Sequence, residues 1–269
     1  MNSYNANRVQ NLGLINTLFT IVNNEPVDQP DTVLARYFLE NYTNLSNLNI
    51  YDVADECFVS RSSIRRFCQR IGYENFKQLK NDFKQFSYEY HYFMNTSRKE
   101  DYRDNYMREL ANVQKDFNEL ITDDKLREIA ARIHDSDQVV LMSAYNSVNA
   151  LIEFQRPLVI SHKLVRVMNS ENIDKDYLEA LDENGLVIVV SPMGHFAEVM
   201  LDVISEMPAY CMLVTTSHKE EFQKVFDEIV YLSKDDHTDE KSVNGKIGNY
   251  VFFDFLYATY FRMYGDAPK

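Results

Sequence analysis

The feature that most constrains this chain is a change of hydrophobic rhythm at Asp137. Before it, apolar side chains recur at helical spacing. After it, short and mostly apolar runs alternate with helical stretches: Gln138–Met142, Lys163–Met168, Leu186–Val190, Cys211–Thr215 and Ile229–Leu232. Such runs, separated by room for a helix, are the pattern of parallel strands joined by crossover helices. The chain therefore reads as an all-helical part followed by an α/β part built on a five-stranded parallel sheet.

Within the helical part, Leu14, Ile15, Leu18, Phe19 and Val22 predict a helix over 12–22, and Pro26 and Pro30 predict a break over 23–31. A second helix starts near Thr32, with Val33, Leu34, Tyr37 and Phe38 on one face, and an Asn-rich loop covers 41–49. Two short helices, Ile50 to Cys57 and Arg61 to Ile71, flank the tight link Phe58-Val59-Ser60, and Gly72 suits a helix end. A helix over 76–86 turns Leu79, Phe83 and Phe86 inward. Residues 87–104 read as a joint, followed by helices over 105–120 and 123–134. The last helix, about Lys246 to Tyr264, is apolar enough (Val251, Phe252, Phe255, Leu256, Phe261) to cover the sheet or to form a dimer surface. These boundaries divide the chain into 1–86, a linker region 87–120, and 121–269.

The 269 residues suffice for two domains. Abundant aromatics (Tyr 18, Phe 17) with only 7 Gly favour helix-rich packing. Cys57, Cys68 and Cys211 are odd in number and form no CxxC pair, which argues against a disulfide framework or zinc site and fits a reducing cytoplasm. The histidines show no HExxH spacing, so no metal is expected. The polar start lacks signal-peptide character, and Leu186–Val190 is far too short to span a bilayer, so no membrane is expected.

The net charge of −13 excludes a protein that coats DNA with its whole surface, but the charge is uneven. Between Arg61 and Lys84 the cations are Arg61, Arg65, Arg66, Arg70, Lys77, Lys80 and Lys84, against Glu74 and Asp82. That surplus of five sits on a chain otherwise at −18, the footprint of a small nucleic-acid-facing patch on an acidic body.

The two short helices fit a helix-turn-helix, which needs small or apolar residues where the helices cross. Val53, Ala54, Val59, Ile64 and Phe67 supply the inward set, and the Ser60 hydroxyl can cap the second helix by accepting from the backbone N–H of Ser62 or Ser63. The outward set is then Arg61, Ser62, Ser63, Arg65, Arg66 and Gln69. A recognition helix brings its N-terminal residues to the base edges. Arg61, Ser62 and Arg65 are accordingly read as base contacts, and Ser63, Arg66, Arg70 and Lys77 as phosphate contacts on a double-stranded operator. The alternative on spacing alone is an amphipathic helix pair with a solvated basic face.

Asn49-Ile-Tyr-Asp-Val-Ala54, Val59-Ser-Arg-Ser-Ser-Ile-Arg-Arg-Phe-Cys68 and Ile71-Gly-Tyr-Glu-Asn-Phe76 resemble the helix-turn-helix of the RpiR/MurR regulators. Ala54, Val59, Ser60, Ser63, Ile64, Arg66, Phe67, Gly72, Tyr73 and Phe76 stand at matching positions; Phe58 departs, where many members carry a small or polar turn residue. The resemblance implies a DNA-binding regulator whose second domain is a sugar isomerase (SIS) domain, a flavodoxin-like three-layer sandwich that binds phosphosugars. A homodimer joined through the α/β domains, or a higher homo-oligomer, is the expected assembly. No cofactor is implied, and there is no GxGxxG or Walker A sequence.

Ligands of open parallel sheets lie beyond the carboxyl ends of the strands, where hydroxyls and helix N-termini hold phosphate. Two loops qualify: Ser143-Ala-Tyr145-Asn146-Ser147, and Ser191-Pro-Met-Gly194-His195-Phe-Ala-Glu198. Against the family patterns Gly-x-Gly-x-Ser and Ser-x-Ser-Gly-x-Thr-x-Glu, the matches are Ser147, Ser191, Gly194 and Glu198, while Ser143, Tyr145, Met193 and Phe196 depart. Three readings stay open. The domain binds a phosphosugar through an altered set (Asn146, Ser147, Ser191, His195), binds another small molecule against Tyr145 and Phe196, or only dimerises. His195, and Asp239 and Glu240 in the charged run 234–241, read as solvated loop residues. An isomerase using His195 and Glu198 as bases is the enzymatic alternative; the helix-turn-helix and the altered loops favour a regulator without catalytic residues.

Overall fold

The computed structural model describes residues 14–83 (backbone alone at 82–83), 98–144, 147–170, 173–238 and 241–265. Expectations for Phe83, Lys84, Phe86, Tyr145, Asn146, Asp239 and Glu240 lie outside what it describes. The described residues fall into two compact units, one ending at Tyr102 and one running from Arg103.

The first unit is helical: α1 (Leu14–Asn24), α2 (Pro30–Glu40), a 3-10 turn (Tyr42–Asn47), α3 (Ile50–Glu56), α4 (Arg61–Arg70) and α5 (Phe76–Phe83). Pro30 opens α2 rather than extending the break, because proline at a first helical turn gives up an N–H that has no partner there. The region expected as a loop over 41–49 holds the 3-10 turn instead. The reason is Leu45, which is fully buried and plugs the core between α2 and α5. Removing a leucine side chain from water is worth roughly 1.5–3 kcal/mol, enough to order a polar segment around it. The core joins Leu18, Leu34, Phe38, Leu45, Val53, Ile64, Phe67 and Leu79, with Phe38 edge-on to Phe67 and stacked on Phe76.

The second unit begins with α6 (Tyr102–Leu120) and α7 (Asp123–Asp135), then alternates β1 (Gln138–Ser143), α8 (Ser147–Leu158), β2 (Arg166–Asn169), α9 (Lys175–Glu179), β3 (Gly185–Val190), α10 (His195–Ser205), β4 (Tyr210–Thr215), β5 (Glu228–Tyr231) and α11 (Val243–Tyr264). The five strands are parallel in the order β2-β1-β3-β4-β5. This is the flavodoxin-like arrangement, whose strand order switches direction between β1 and β3. Val139, Leu141, Leu186, Ile188, Val190, Met212, Val214 and Val230 share one face and pack under α7, α8 and α11. The alternate residues Val140, Met142, Val187, Val189 and Leu213 are buried too, and α10 lies against β3. Helices thus cover both faces of the sheet, as its near-continuous apolar strands require.

Helix α6, expected as part of a linker, packs Val113 and Phe117 into the α/β core. Asp116 fixes its register. The carboxylate, 8% exposed, accepts hydrogen bonds from the Ser233 hydroxyl (3.1 Å), the Asn244 amide (3.1 Å) and the Lys234 backbone N–H (3.3 Å). Several neutral donors stand in for water around a charge that would otherwise be costly to bury.

Candidate nucleic-acid interface and effector loops

The recognition segment is built by caps and turn geometry. Ser60 caps α4 through the Ser63 N–H (3.1 Å), as the sequence predicts, and Asn49, read there only as a loop residue, caps α3 through the Tyr51 N–H (3.0 Å). The chain reverses between them at Phe58, in the left-handed region at φ 53°. Val53, Ile64 and Phe67 are buried, with Ala54 and Val59 packed against them, so the inward set lies where the spacing puts it.

Burying that set exposes Arg61, Ser62, Arg65, Arg66 and Gln69 on the opposite side of α4, with Ser63 half-buried and Lys77 exposed on α5. Among the described residues, no carboxylate forms an ion pair with Arg61, Arg65, Arg66 or Lys77. The cationic face is available to an external anion. Arg61 is held by Tyr51, its guanidinium 4.9 Å from the ring centroid and donating to the phenol oxygen (3.1 Å). Arg66 donates to the Ser63 hydroxyl (3.3 Å), and the hydroxyls of Ser60, Ser62 and Ser63 form a cluster at the helix start. Tyr51 gave no sequence signal, since it meets Arg61 only across the turn.

Arg70 differs from the rest. It bonds Glu25 and, at 2.6 Å, Asp31, and both carboxylates hold it more firmly charged. The phosphate contact expected of Arg70 is corrected to an internal clamp from α4 to α2 and the segment before it. Glu25 and Asp31 lie 45 and 39 residues away, and no local spacing announces the pairing. All three cysteines are buried free thiols, and burial pushes Cys57 up to about 11 and Cys68 and Cys211 up to about 12. No group of three His, Cys, Asp or Glu suited to a metal occurs among the described residues.

In the second unit, the two loops expected to hold a ligand follow β1 and β3, at the switch in strand order. Their serines divide. Ser143 is fully buried and donates to the Val190 carbonyl (2.7 Å), while the Ser191 hydroxyl accepts from the Ala197 N–H (3.1 Å). The Ser143 hydroxyl, sealed off and donating to a strand carbonyl, serves the fold, which corrects its expected role as a ligand contact; the Ser191 hydroxyl serves α10 as an acceptor and keeps its own proton to donate. Gly194 is the N-cap of α10 at φ 89°, where an added Cβ would stand 2.9 Å from the Ser217 hydroxyl. Only glycine fits there. Glu198 pairs with Lys219, and His195 is half-buried at the start of α10.

Ser147, at the start of α8, is brought beside a residue the sequence reading missed. The Asn249 amide donates to the Ser147 hydroxyl (3.3 Å) and to the Gly245 carbonyl (2.8 Å). Asn249 is 2% exposed, and its own carbonyl oxygen has no partner among the described residues. The signal was the polar and glycine stripe Ser242, Asn244, Gly245, Gly248, Asn249 in an otherwise aromatic helix. At Gly245 an added Cβ would lie 2.9 Å from Pro192, so α11 runs close over the loop after β3.

Comparison with known proteins gives the first unit its family: residues 21–87 match the helix-turn-helix domain of the rpiR family. The chain carries an RpiR-family helix-turn-helix domain. It is 20% identical over 240 residues, 86% of this chain and 85% of the other, to an uncharacterized HTH-type transcriptional regulator encoded in the aarA 3' region of Providencia stuartii. It is 43% identical over 47 residues, 18% of this chain and 17% of the other, to an uncharacterized HTH-type transcriptional regulator of Caldanaerobacter subterraneus subsp. tengcongensis. Among solved structures it resembles the Vibrio vulnificus NanR protein complexed with ManNAc-6P (15% identity, 94% of this chain and 93% of that one, TM-score 0.49). It also resembles the sugar isomerase domain of the RpiR transcription factor from Sphaerobacter thermophilus (14% identity, 59% and 88%, TM-score 0.47). The flavodoxin-like assignment of the second unit stands on its own strand order and not on these likenesses.

Proposed function

We propose that this RpiR-type chain is a bacterial transcriptional regulator acting on duplex DNA in the cytoplasm, with the α/β unit tuning operator binding to a small metabolite. The observation that carries the DNA-reading half is α4. Its Arg61, Arg65 and Arg66 face outward without carboxylate partners among the described residues, on a chain of net charge −13. Such a helix start fits a major groove, with Arg61 and Arg65 forking onto guanine, Ser62 and Gln69 on neighbouring base edges, and Ser63, Arg66 and Lys77 on phosphates. Two copies joined through their α/β units would meet a roughly palindromic operator with half-sites about 34–36 Å apart or a multiple of that. Selection of duplexes by the full chain from a random pool tests this. An inverted repeat is expected, and a pool that stays unenriched contradicts it.

The sensing half is supported by Asn249. A buried carbonyl oxygen without a donor among the described residues, beside Ser147 and the N-terminus of α8, suits a hydroxyl group of a ligand whose anionic end meets that helix start. A phosphorylated polyol or sugar has both features. Binding would act on DNA by favouring one arrangement of the dimer. A thermal-shift comparison of sugar phosphates, the parent sugars and inorganic phosphate is expected to favour the phosphorylated polyols, and Asn249→Leu to abolish the shift. Equal shifts in wild type and variant would remove Asn249 from the site. An isomerase would need a free base, and Glu198 is engaged by Lys219; non-enzymatic sensing is the reading retained.

A further inference from the structure

Phe58 combines two unfavourable features in one residue. It is 94% exposed, the most exposed of the large apolar side chains described, and it holds φ 53°, a left-handed conformation that costs an L side chain with a Cβ. Asparagine or glycine would serve this turn at lower cost in both respects. The fold does not use the ring, since Phe58 takes no part in the core that gathers Val53, Cys57, Val59 and Ile64 around it. Backbone strain combined with an exposed aromatic asks for something outside the unit to cover the ring.

Its position says what. Phe58 lies two residues before the cap Ser60 and three before Arg61, on the turn that leads into α4. When the start of α4 enters the groove, the preceding turn stands outside it, against the groove wall, which is sugar and phosphate. Arg61 and Arg65 open the cationic face of α4 on one side of this turn and, among the described residues, form no ion pair, while Asp55 and Glu56 stand exposed on the other side, so the ring marks the border of the face proposed to meet the polyanion.

The geometry points to Phe58 as a DNA-contact residue that packs its ring on the deoxyribose carbons of the backbone flanking the major groove, an inference resting on the DNA-reading role proposed above. Deoxyribose is the apolar part of the backbone and is the same under every base. The contact therefore adds affinity without adding sequence preference, and it releases no counterion. That separates it from Arg65, which would discriminate sequences, and from Lys77, which would set the salt dependence.

The test is a fluorescence-anisotropy titration of the full chain with a selected operator and a random duplex at several salt concentrations, comparing wild type, F58N, F58L and Arg65→Ala. F58N is expected to melt at or above the wild-type temperature and to bind both duplexes about 5–10-fold more weakly. Its salt slope should stay unchanged. F58L keeps an apolar side chain and is expected to bind close to wild type. Unchanged affinity in F58N, a loss confined to the operator, or a shallower salt slope overturns the assignment. So does an altered sedimentation coefficient with unaltered DNA binding, which would give the ring to an interface between copies. If wild type binds neither duplex, the DNA-reading role itself fails; if wild type and Arg65→Ala differ on the operator but F58N matches wild type, only the Phe58 assignment fails.

Discussion

At the scale of single residues, burial and partner choice sort side chains that look alike in the sequence. Arg66 and Arg70 are both basic and both exposed, yet one meets only a serine hydroxyl and the other two carboxylates. Arg70→Ala should therefore lower the stability of the helical unit by about 0.5–1 kcal/mol, discounted for a half-exposed pair, and leave operator discrimination near the wild-type value; thermal melting and DNA titration check the two halves. The cysteines behave as core residues. Burial raises their thiols to about 11 to 12, so at pH 8 they stay protonated and should react with a thiol reagent only on unfolding. Because the folded values are raised, this contribution to stability is whole below the unfolded thiol pKa of about 8.5 and declines as pH climbs from there toward 11 or 12. A denaturation series from pH 7 to pH 10 would show the decline.

At the scale of elements, α4 depends on its first turn. Ser60→Ala removes the cap on the Ser63 N–H and the centre of the serine cluster; a loss of about 1 kcal/mol in stability is expected, with weaker DNA binding, read by denaturant melts and titration. This element was legible because capping and inward spacing are local. The strands were legible for the same reason: a run such as Leu186–Val190 has few alternatives once it must be buried on both faces. What escaped was set by contacts distant in sequence. Leu45 orders a polar segment only because α2 and α5 leave room for it, Arg70 finds its carboxylates on the far side of the fold, and Asn249 acquires meaning only where α11 passes Ser147. The loop serine Ser143 was misassigned for a related reason. A hydroxyl at the end of a strand can bond the next strand or the next helix as readily as a ligand, and sequence spacing does not distinguish these.

At the scale of the whole molecule, an acidic chain gathers a cationic surplus between Arg61 and Lys84, and its α/β unit includes α6 from Arg103 onward. Asp116 anchors that helix to the segment between β5 and α11. Asp116→Ala removes the acceptor shared by the Ser233 hydroxyl, the Lys234 N–H and the Asn244 amide, which keeps only its bond to the Leu232 carbonyl, for an expected loss of about 1–3 kcal/mol in the α/β unit, measurable as a lower melting midpoint while the helical unit melts as before. The central claim concerns the reading helix. The measurement that tests it most directly is the ratio of operator to random-duplex affinity, taken at one salt concentration for wild type and Arg65→Ala. A ratio that falls by about tenfold or more in Arg65→Ala is the predicted result, in line with about 1–3 kcal/mol for one base-contacting arginine. An identical ratio in both proteins would contradict the account.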